Sequence, residues 1–349
     1  MSLGLAYVVV RCHAMRAELI DPETMRSLAE ARDMKEFLGR LSQTQYQEII
    51  EEAGEGVSGE ALERAFYQKH IERLDRVVGV APTGMAEFLR AYYHMRLEVR
   101  NLKRILRGKY SDAPIERIKR HLIPVSPYLS VDFDDLMGAE TMADSVNLLG
   151  RTVYAHIKES LALCEKYDTL WPLEARLNQI YVESVQESLS KISSEDRRMV
   201  RQIVEVETDV ENLLSAINWR RITKEQAPPL LLESIFPLTY GASLRVIKEL
   251  IEGRDFGDVV KGLGAPYAEI VEPIIEDDVA LVRTNLRRHA YEAAREGRLR
   301  DDFGFPCIMS YLISCDVERG DLVSIAWGKE HELESKRILK YTVLPGYAV

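Results

Sequence analysis

Asp132-Phe133-Asp134-Asp135 is the stretch whose residue types come nearest to chemistry. Carboxylates spaced along a helix can hold Mg²⁺ against a diphosphate, as the all-helical isoprenoid synthases do. Here no Asp or Glu follows at positions 136–138, and no second such cluster answers it. Asp134 or Asp135 therefore reads as an N-terminal residue of a helix entering at Leu136, where an acidic side chain suits the helix dipole. Glu276-Asp277-Asp278 reads alike, as the acidic first turn of a helix through Leu286. Gly262-Leu263-Gly264 and Gly54-Glu55-Gly56 lack the Gly-Lys-Ser/Thr ending and strand context of a phosphate loop. The seven histidines are scattered, with no i,i+4 pair and no HExxH, and Arg287-Arg288-His289 reads as a basic helix face. Cys12, Cys164, Cys307 and Cys315 show no CxxC spacing and lie within apolar helical patterns, as buried reduced thiols do. No Ser/His/Asp arrangement can be argued. The expectation is a chain without a catalytic residue, metal or cofactor of its own.

Length and charge narrow the classes further. A chain of 349 residues, 46% apolar and 29% charged, can bury a large core without metal or disulfide staples. Its formal charge of -10 argues against nucleic acid as the main partner. No segment approaches the roughly 18 apolar residues of a membrane span. The run Leu3 to Val10 lacks a basic n-region and a small-residue cleavage site, so no signal peptide is read. The expected location is cytoplasmic, with any membrane contact made through partners.

The element that organises the chain is Phe88 to Lys109. Its apolar residues, Phe88, Tyr92, Met95, Val99, Leu102 and Leu106, fall in steps of 4, 3, 4, 3 and 4, one face of an α-helix about 30 Å long. Gly108 stands where a helix stop is expected. Adding 111 gives Met199, Ile203, Val206, Val210, Leu213 and Ile217, with Asn212-Leu213 where Asn101-Leu102 stood. Adding 220 gives Ile308, Leu312, Cys315 and Leu322, closing on Gly328-Lys329 as the first copy closes on Gly108-Lys109. In this third copy Arg319 and Ala326 replace Val99 and Leu106, and Asp321 replaces the Asn.

The flanks repeat too. Leu41 to Tyr46 has counterparts ending at Tyr154 and Tyr267, and Leu62 and Phe66 return as Leu173 and Leu177, then as Val282 and Leu286. Hydrophobic-X-Pro stops follow at Leu122-Ile123-Pro124, Ile235-Phe236-Pro237 and Val343-Leu344-Pro345. These prolines lie 23, 25 and 24 residues after Asn101, Asn212 and Asp321. Strand signals are nearly absent, so the fold is all-α, with tandem helical-bundle repeats of about 110 residues, at 1–115, 116–228 and 229–349. Three such units either stack in a line or close around an axis. The first repeat reads as helices over 4–19, 23–31, 33–41 and 60–78, with a glycine-rich loop from Glu51 to Gly59.

The Glu98 to Lys109 pattern E-x-x-N-L-x-x-I-L-R-G-K, its Asp209 to Leu213 version and the L-x-x-T-x-Y element resemble the C subunits of prokaryotic V-type ATPases and A-type ATP synthases, and their eukaryotic d counterpart. The resemblance implies a funnel of three lobes about a pseudo-threefold axis, with a central cavity. It also implies a non-catalytic rotor subunit, peripheral to the membrane, that caps the proteolipid ring and receives the central stalk. Glu98, Asn101, Leu102, Asp209, Asn212, Leu213, Glu318, Asp321, Leu322, Tyr46, Tyr154 and Tyr267 are the repeat signature. Asn101 and Asn212 are expected to cap or cross-link neighbouring helices. Arg90, Arg96, Arg100, Lys103, Arg104, Arg107 and Lys109 oppose Glu87 and Glu98, a local excess of five positive charges. They are a candidate surface for the ring or stalk, weighed against a solvated helix face with internal ion pairs. The readings from other classes are a free-standing helical adaptor and, more distantly, a Mg²⁺-dependent diphosphate enzyme.

Overall fold

The computed structural model describes residues 3–53, 57–125, 131–194, 196–222 and 238–347, and all regular structure among them is helical. In chain order come α1 (Leu3–Arg16), α2 (Pro22–Ala29), α3 (Met34–Leu41), α4 (Gln47–Ala53) and α5 (Gly59–Val78). α6 (Thr83–Leu89) runs through a π turn (Arg90–His94) into α7 (Met95–Tyr110). Then follow α8 (Ile115–Arg120), α9 (Phe133–Gly138), α10 (Met142–Leu148), α11 (Leu161–Tyr167), α12 (Trp171–Leu189) and α13 (Arg197–Ile222). The chain continues with α14 (Leu244–Ile251), α15 (Phe256–Lys261), α16 (Tyr267–Val271), α17 (Val279–Arg300), α18 (Phe305–Glu330) and α19 (Ser335–Lys340).

Two compact units result. One gathers both ends of the chain, Met1–Ala86 and Glu276–Val349, with Ser194–Val200; the other holds Glu87–Ser193 and Arg201–Ile275. In the first unit α18 is the core helix, sheathed by α5, α17 and α1. It is buried almost all round, so its charged residues Glu318, Arg319 and Asp321 need partners inside the unit. In the second unit α12 packs on α7 and the π turn, with α8, α9 and α10 also against α7. Met95, Val99, Leu102 and Leu106 join Leu136, Tyr154, Leu173 and Leu177 in one buried cluster there.

Polar side chains at helix starts set the register of the short helices. Asp21 accepts the Thr24 amide at 2.9 Å and Asp33 the Glu36 amide at 2.8 Å. Asp132 accepts the amides of Asp134 and Asp135, so the acidic run opens α9, capped two residues earlier than expected. Asp278 likewise caps α17 through the Leu281 amide.

Some sequence expectations need correction. The helix over 88–109 is not a uniform α-helix, because the turn Arg90–His94 is π-wound, placing Tyr92, Tyr93 and His94 all in buried positions. Residues 51–53 belong to α4 rather than to a loop, while Gly54-Glu55-Gly56 and Ile235-Phe236-Pro237 lie outside the described residues. Arg319 is buried like the Val99 it replaces, bonded to Asp316 at 2.6 Å and stacked on the Tyr67 ring.

Gly108 and Gly328 do not stop their helices. Each sits within its helix where the next one crosses: a Cβ at Gly108 would meet Ile118 of α8 at 2.5 Å, and one at Gly328 would meet Ile338 of α19 at 2.6 Å. The actual stops come four residues later, at Asp112 (φ 51°) and Glu332 (φ 54°). There the amides of Ala113 and Leu333 return to the Gly108 and Gly328 carbonyls, both at 2.8 Å. In an open helix, alanine in place of glycine stabilises by up to about 1 kcal/mol. Gly39 of α3 has nothing within 4 Å of its missing Cβ and is the control. Thermal or urea unfolding should show Gly39→Ala neutral to stabilising, with Gly108→Ala and Gly328→Ala each destabilising by about 1–3 kcal/mol through overpacking. Stabilisation at all three positions would refute the close crossing.

Candidate functional site

On α7 the residues of the signature stand at i and i+3, one turn apart, and both are buried. The Glu98 carboxylate accepts the Tyr154 hydroxyl at 2.9 Å, and the nearby Val131 amide favours its charged form. Burial pushes the Glu98 carboxyl above its usual range, while these two donors pull it back. Asn101 clasps one residue on both sides: its Nδ2 donates to the Ile123 carbonyl and its Oδ1 accepts the Ile123 amide, each at 2.9 Å. Ile123 belongs to the hydrophobic-X-Pro stop, so two landmarks of the repeat are bound to each other.

α13 carries a corresponding pair. Asp209 accepts the amides of Tyr240, Gly241 and Ala242 at 2.9, 2.6 and 2.9 Å, and also the Tyr267 hydroxyl. A Cβ at Gly241 would fall on the Tyr267 ring, which explains glycine there. Asn212 donates to the Leu238 carbonyl at 2.8 Å.

On α18 the partners come from the two ends of the chain. Glu318 accepts the Ile20 amide, the Tyr46 hydroxyl and the Arg73 guanidinium, all at 2.6 Å. Burial alone would depress the Arg73 charge, but the Glu318 carboxylate 2.6 Å away outweighs it. Asp321 accepts the amides of Val343 and Leu344 at 2.9 and 2.7 Å and pairs with Arg287 at 3.3 Å.

A regularity that sequence reading missed ties these contacts together. Each carboxylate lies at the amide of the residue just before a helix cap, bonded to Ile20 before Asp21 and to Ala242 before Ser243, and beside Val131 before Asp132. Those positions are spaced by 111 residues, a period that capping residues alone would have disclosed. Leu102, Leu213 and Leu322 lie buried beside the clamps. Apart from the unpartnered Glu98 Oε1, these carboxylates and amides direct their hydrogen bonds to the chain itself, as positioning groups do.

The basic face of α7 is largely engaged internally. Arg96 pairs with Glu207 at 2.6 Å, bonds the Tyr181 hydroxyl and stacks on Tyr92. Arg107 forms a bidentate pair with Glu174, Lys103 donates to Asn178, Arg104 to the His121 carbonyl and Lys109 to the Ala139 carbonyl. Arg90 and Arg100 are half-buried on the same helix and also have partners. Arg96 lies within a network with Tyr92, Tyr181 and Glu207, so its reversal would disturb packing before it reached any partner.

The clamps explain why the third signature carries Asp. Asn101 faces one N–H and one C=O, which an amide matches, whereas Asp321 faces two N–H groups and a guanidinium, which need a carboxylate. The exchanges Asn101→Asp and Asp321→Asn should each cost about 1–3 kcal/mol in denaturant unfolding at neutral pH; neutrality of both would refute the match. Burial raises the Asp321 carboxyl from 3.8 to about 6, against the pull of Arg287 and the two amides. The folded chain then holds this proton more tightly than the unfolded one. The resulting stability is complete below pH 3.8 and lost as pH rises through about 6, a slope that Asp321→Asn should flatten.

Comparison with known proteins agrees with the resemblance. The family model described as ATP synthase (C/AC39) subunit matches residues 8–341. The A-type ATP synthase C subunit of Methanosarcina mazei is 26% identical, over 98% of this chain and 94% of the relative. That of Methanocaldococcus jannaschii is 25% identical, over 95% and 84%. The V-type ATP synthase C subunit of Deinococcus radiodurans is 25% identical, over 95% and 89%. With its signature helices clamped and its length matched almost end to end, the chain belongs to the ATP synthase (C/AC39) subunit family, the non-catalytic C subunits of rotary ATPases.

Proposed function

We propose that this chain is the socket through which a rotary ATPase seats its central stalk on the membrane proteolipid ring, coupling ATP turnover to proton or sodium movement. The observation that carries the reading is the recurrence of one two-point clamp on α7, α13 and α18, with the last clamp completed by the beginning of the chain. A repeat whose final copy is closed by the first has no free end. We take it to form a ring of three lobes, a funnel about a pseudo-threefold axis with a central opening for a shaft. The linear repeats 1–115, 116–228 and 229–349 then lend segments to one another in turn. No described helix is long and apolar enough to cross a membrane, consistent with a part that meets the bilayer through its partners.

Because the cations of α7 are held by Glu207, Glu174 and backbone carbonyls, the proposed contact with ring or stalk is one of shape first and charge second. The test is assembly of the ATPase with and without this chain. Complexes lacking it should retain ATP hydrolysis in the soluble sector but lose ATP-driven ion transport into vesicles, and adding the purified chain back should restore it. Full transport without it, or failure to co-purify with the stalk and ring components, would favour a free-standing adaptor instead.

A further inference from the structure

His13 of α1, Asp302 of the α17–α18 turn and Cys307 in the first turn of α18 meet in space although 294 residues separate the first from the last. The His13 Nε2 lies 3.5 Å from the Cys307 Sγ and 3.7 Å from the Asp302 Oδ1, and the donor atoms of all three fall within 4.8 Å of one another. A tetrahedral zinc ion, with bonds of about 2.0–2.1 Å to nitrogen, 2.3 Å to sulfur and 2.0–2.2 Å to oxygen, separates its ligand atoms by about 3.3–3.6 Å. The two measured separations are close to that range. The N, S and O donors also select the ion class: a thiolate and an imidazole suit Zn²⁺, whereas Mg²⁺ and Ca²⁺ require oxygen.

We propose that His13, Asp302 and Cys307 bind a Zn²⁺-class ion, with water as fourth ligand, and so staple α1 to the α17–α18 turn. The His13 and Asp302 side chains are 33% and 39% exposed, which leaves an open side for ion and water. Without the ion, the imidazole sits 3.0 Å from the Asp302 carbonyl and Arg298 donates to the Asp302 Oδ1 at 2.7 Å. Binding needs the Nε2 lone pair, so a ring proton there moves to Nδ1 and that carbonyl contact is given up. The Cys307 thiol releases its proton to solvent as the S–Zn bond forms, so affinity rises with pH. Thiolate and carboxylate together neutralise the dication. Arg298 and Arg16, which donates to the Cys307 carbonyl, oppose it and set the affinity below that of a dedicated zinc finger.

The experiment titrates the metal-free full chain with Co²⁺ and Zn²⁺. One equivalent of Co²⁺ should give the near-ultraviolet thiolate-to-cobalt absorption of a four-coordinate site, Zn²⁺ should displace it, and Zn²⁺ should raise the Tm. Cys307→Ser should abolish the band, and His13→Asn and Asp302→Asn should each weaken binding by about tenfold or more. Cys12→Ser should leave it intact. The His13 and Asp302 variants change half-exposed side chains, so they decide the matter even where Cys307→Ser unfolds. An absent thiolate band, or a band indifferent to His13→Asn and Asp302→Asn, overturns the site.

Discussion

The structure depends on the burial of a carboxylate at one position of each signature helix. Taking an ionised carboxylate out of water costs several kcal/mol unless donors surround it. Glu98 finds a donor in the Tyr154 hydroxyl, Asp209 in three backbone amides, and Glu318 in the Tyr46 hydroxyl, the Ile20 amide and Arg73. The Ala242 and Ile20 amides each belong to the residue before a helix cap, so satisfying the carboxylate also fixes where the next helix begins. One turn on, the side chain of Asn101, Asn212 or Asp321 fixes a second segment in the same way. Apolar contacts alone would allow a helix to slide by a fraction of a turn; two directional clamps one turn apart do not.

The clamp on α18 has a consequence for folding. Glu318 reaches Ile20, Tyr46 and Arg73, respectively 298, 272 and 245 residues distant along the chain. Neither end of the chain can satisfy its buried polar groups without the other, and the first compact unit is built from both. α7 and α13 need only segments that follow them, 56 residues from Glu98 to Tyr154 and 31 from Asp209 to Tyr240, so their clamps close over shorter loops than that of α18. Loop-closure entropy grows slowly with length but must be met before a distant contact gives any return.

Much of this was legible in the sequence because periodicity and spacing are read directly. The apolar positions of α7, α13 and α18 are nearly all buried, and the Asn-to-Pro spacing corresponds to a bond where Ile123 and Leu344 are described. The remainder depended on tertiary partners that no local rule names. Gly108 looks like a helix stop until Ile118 is seen crossing over it. The π turn, with the edge-to-face contact of Tyr92 and Tyr93 that it carries, has no local sequence signal. The cationic face of α7 reads either as a docking surface or as a solvated face with internal ion pairs, and the sequence does not name Glu207 of α13 and Glu174 of α12 as its partners. His13, Asp302 and Cys307 carry no motif because their proximity is created by α1 lying on α18.

The signature residues direct most of their hydrogen bonds inward, to the chain itself. A catalytic group keeps unspent capacity: a lone pair, a proton or a charge held ready for substrate. The signature residues here do the reverse. Tyr154 gives its hydroxyl to Glu98, Asn101 has both its oxygen and its nitrogen on Ile123, and Asp321 is ringed by two amides and Arg287. Filled capacity converts into resistance to deformation, because rotating any one helix breaks several directional bonds at once and leaves buried charge unpaired. Polar clamps within an all-helical frame therefore resist shear, which suits a structural subunit of a rotary ATPase.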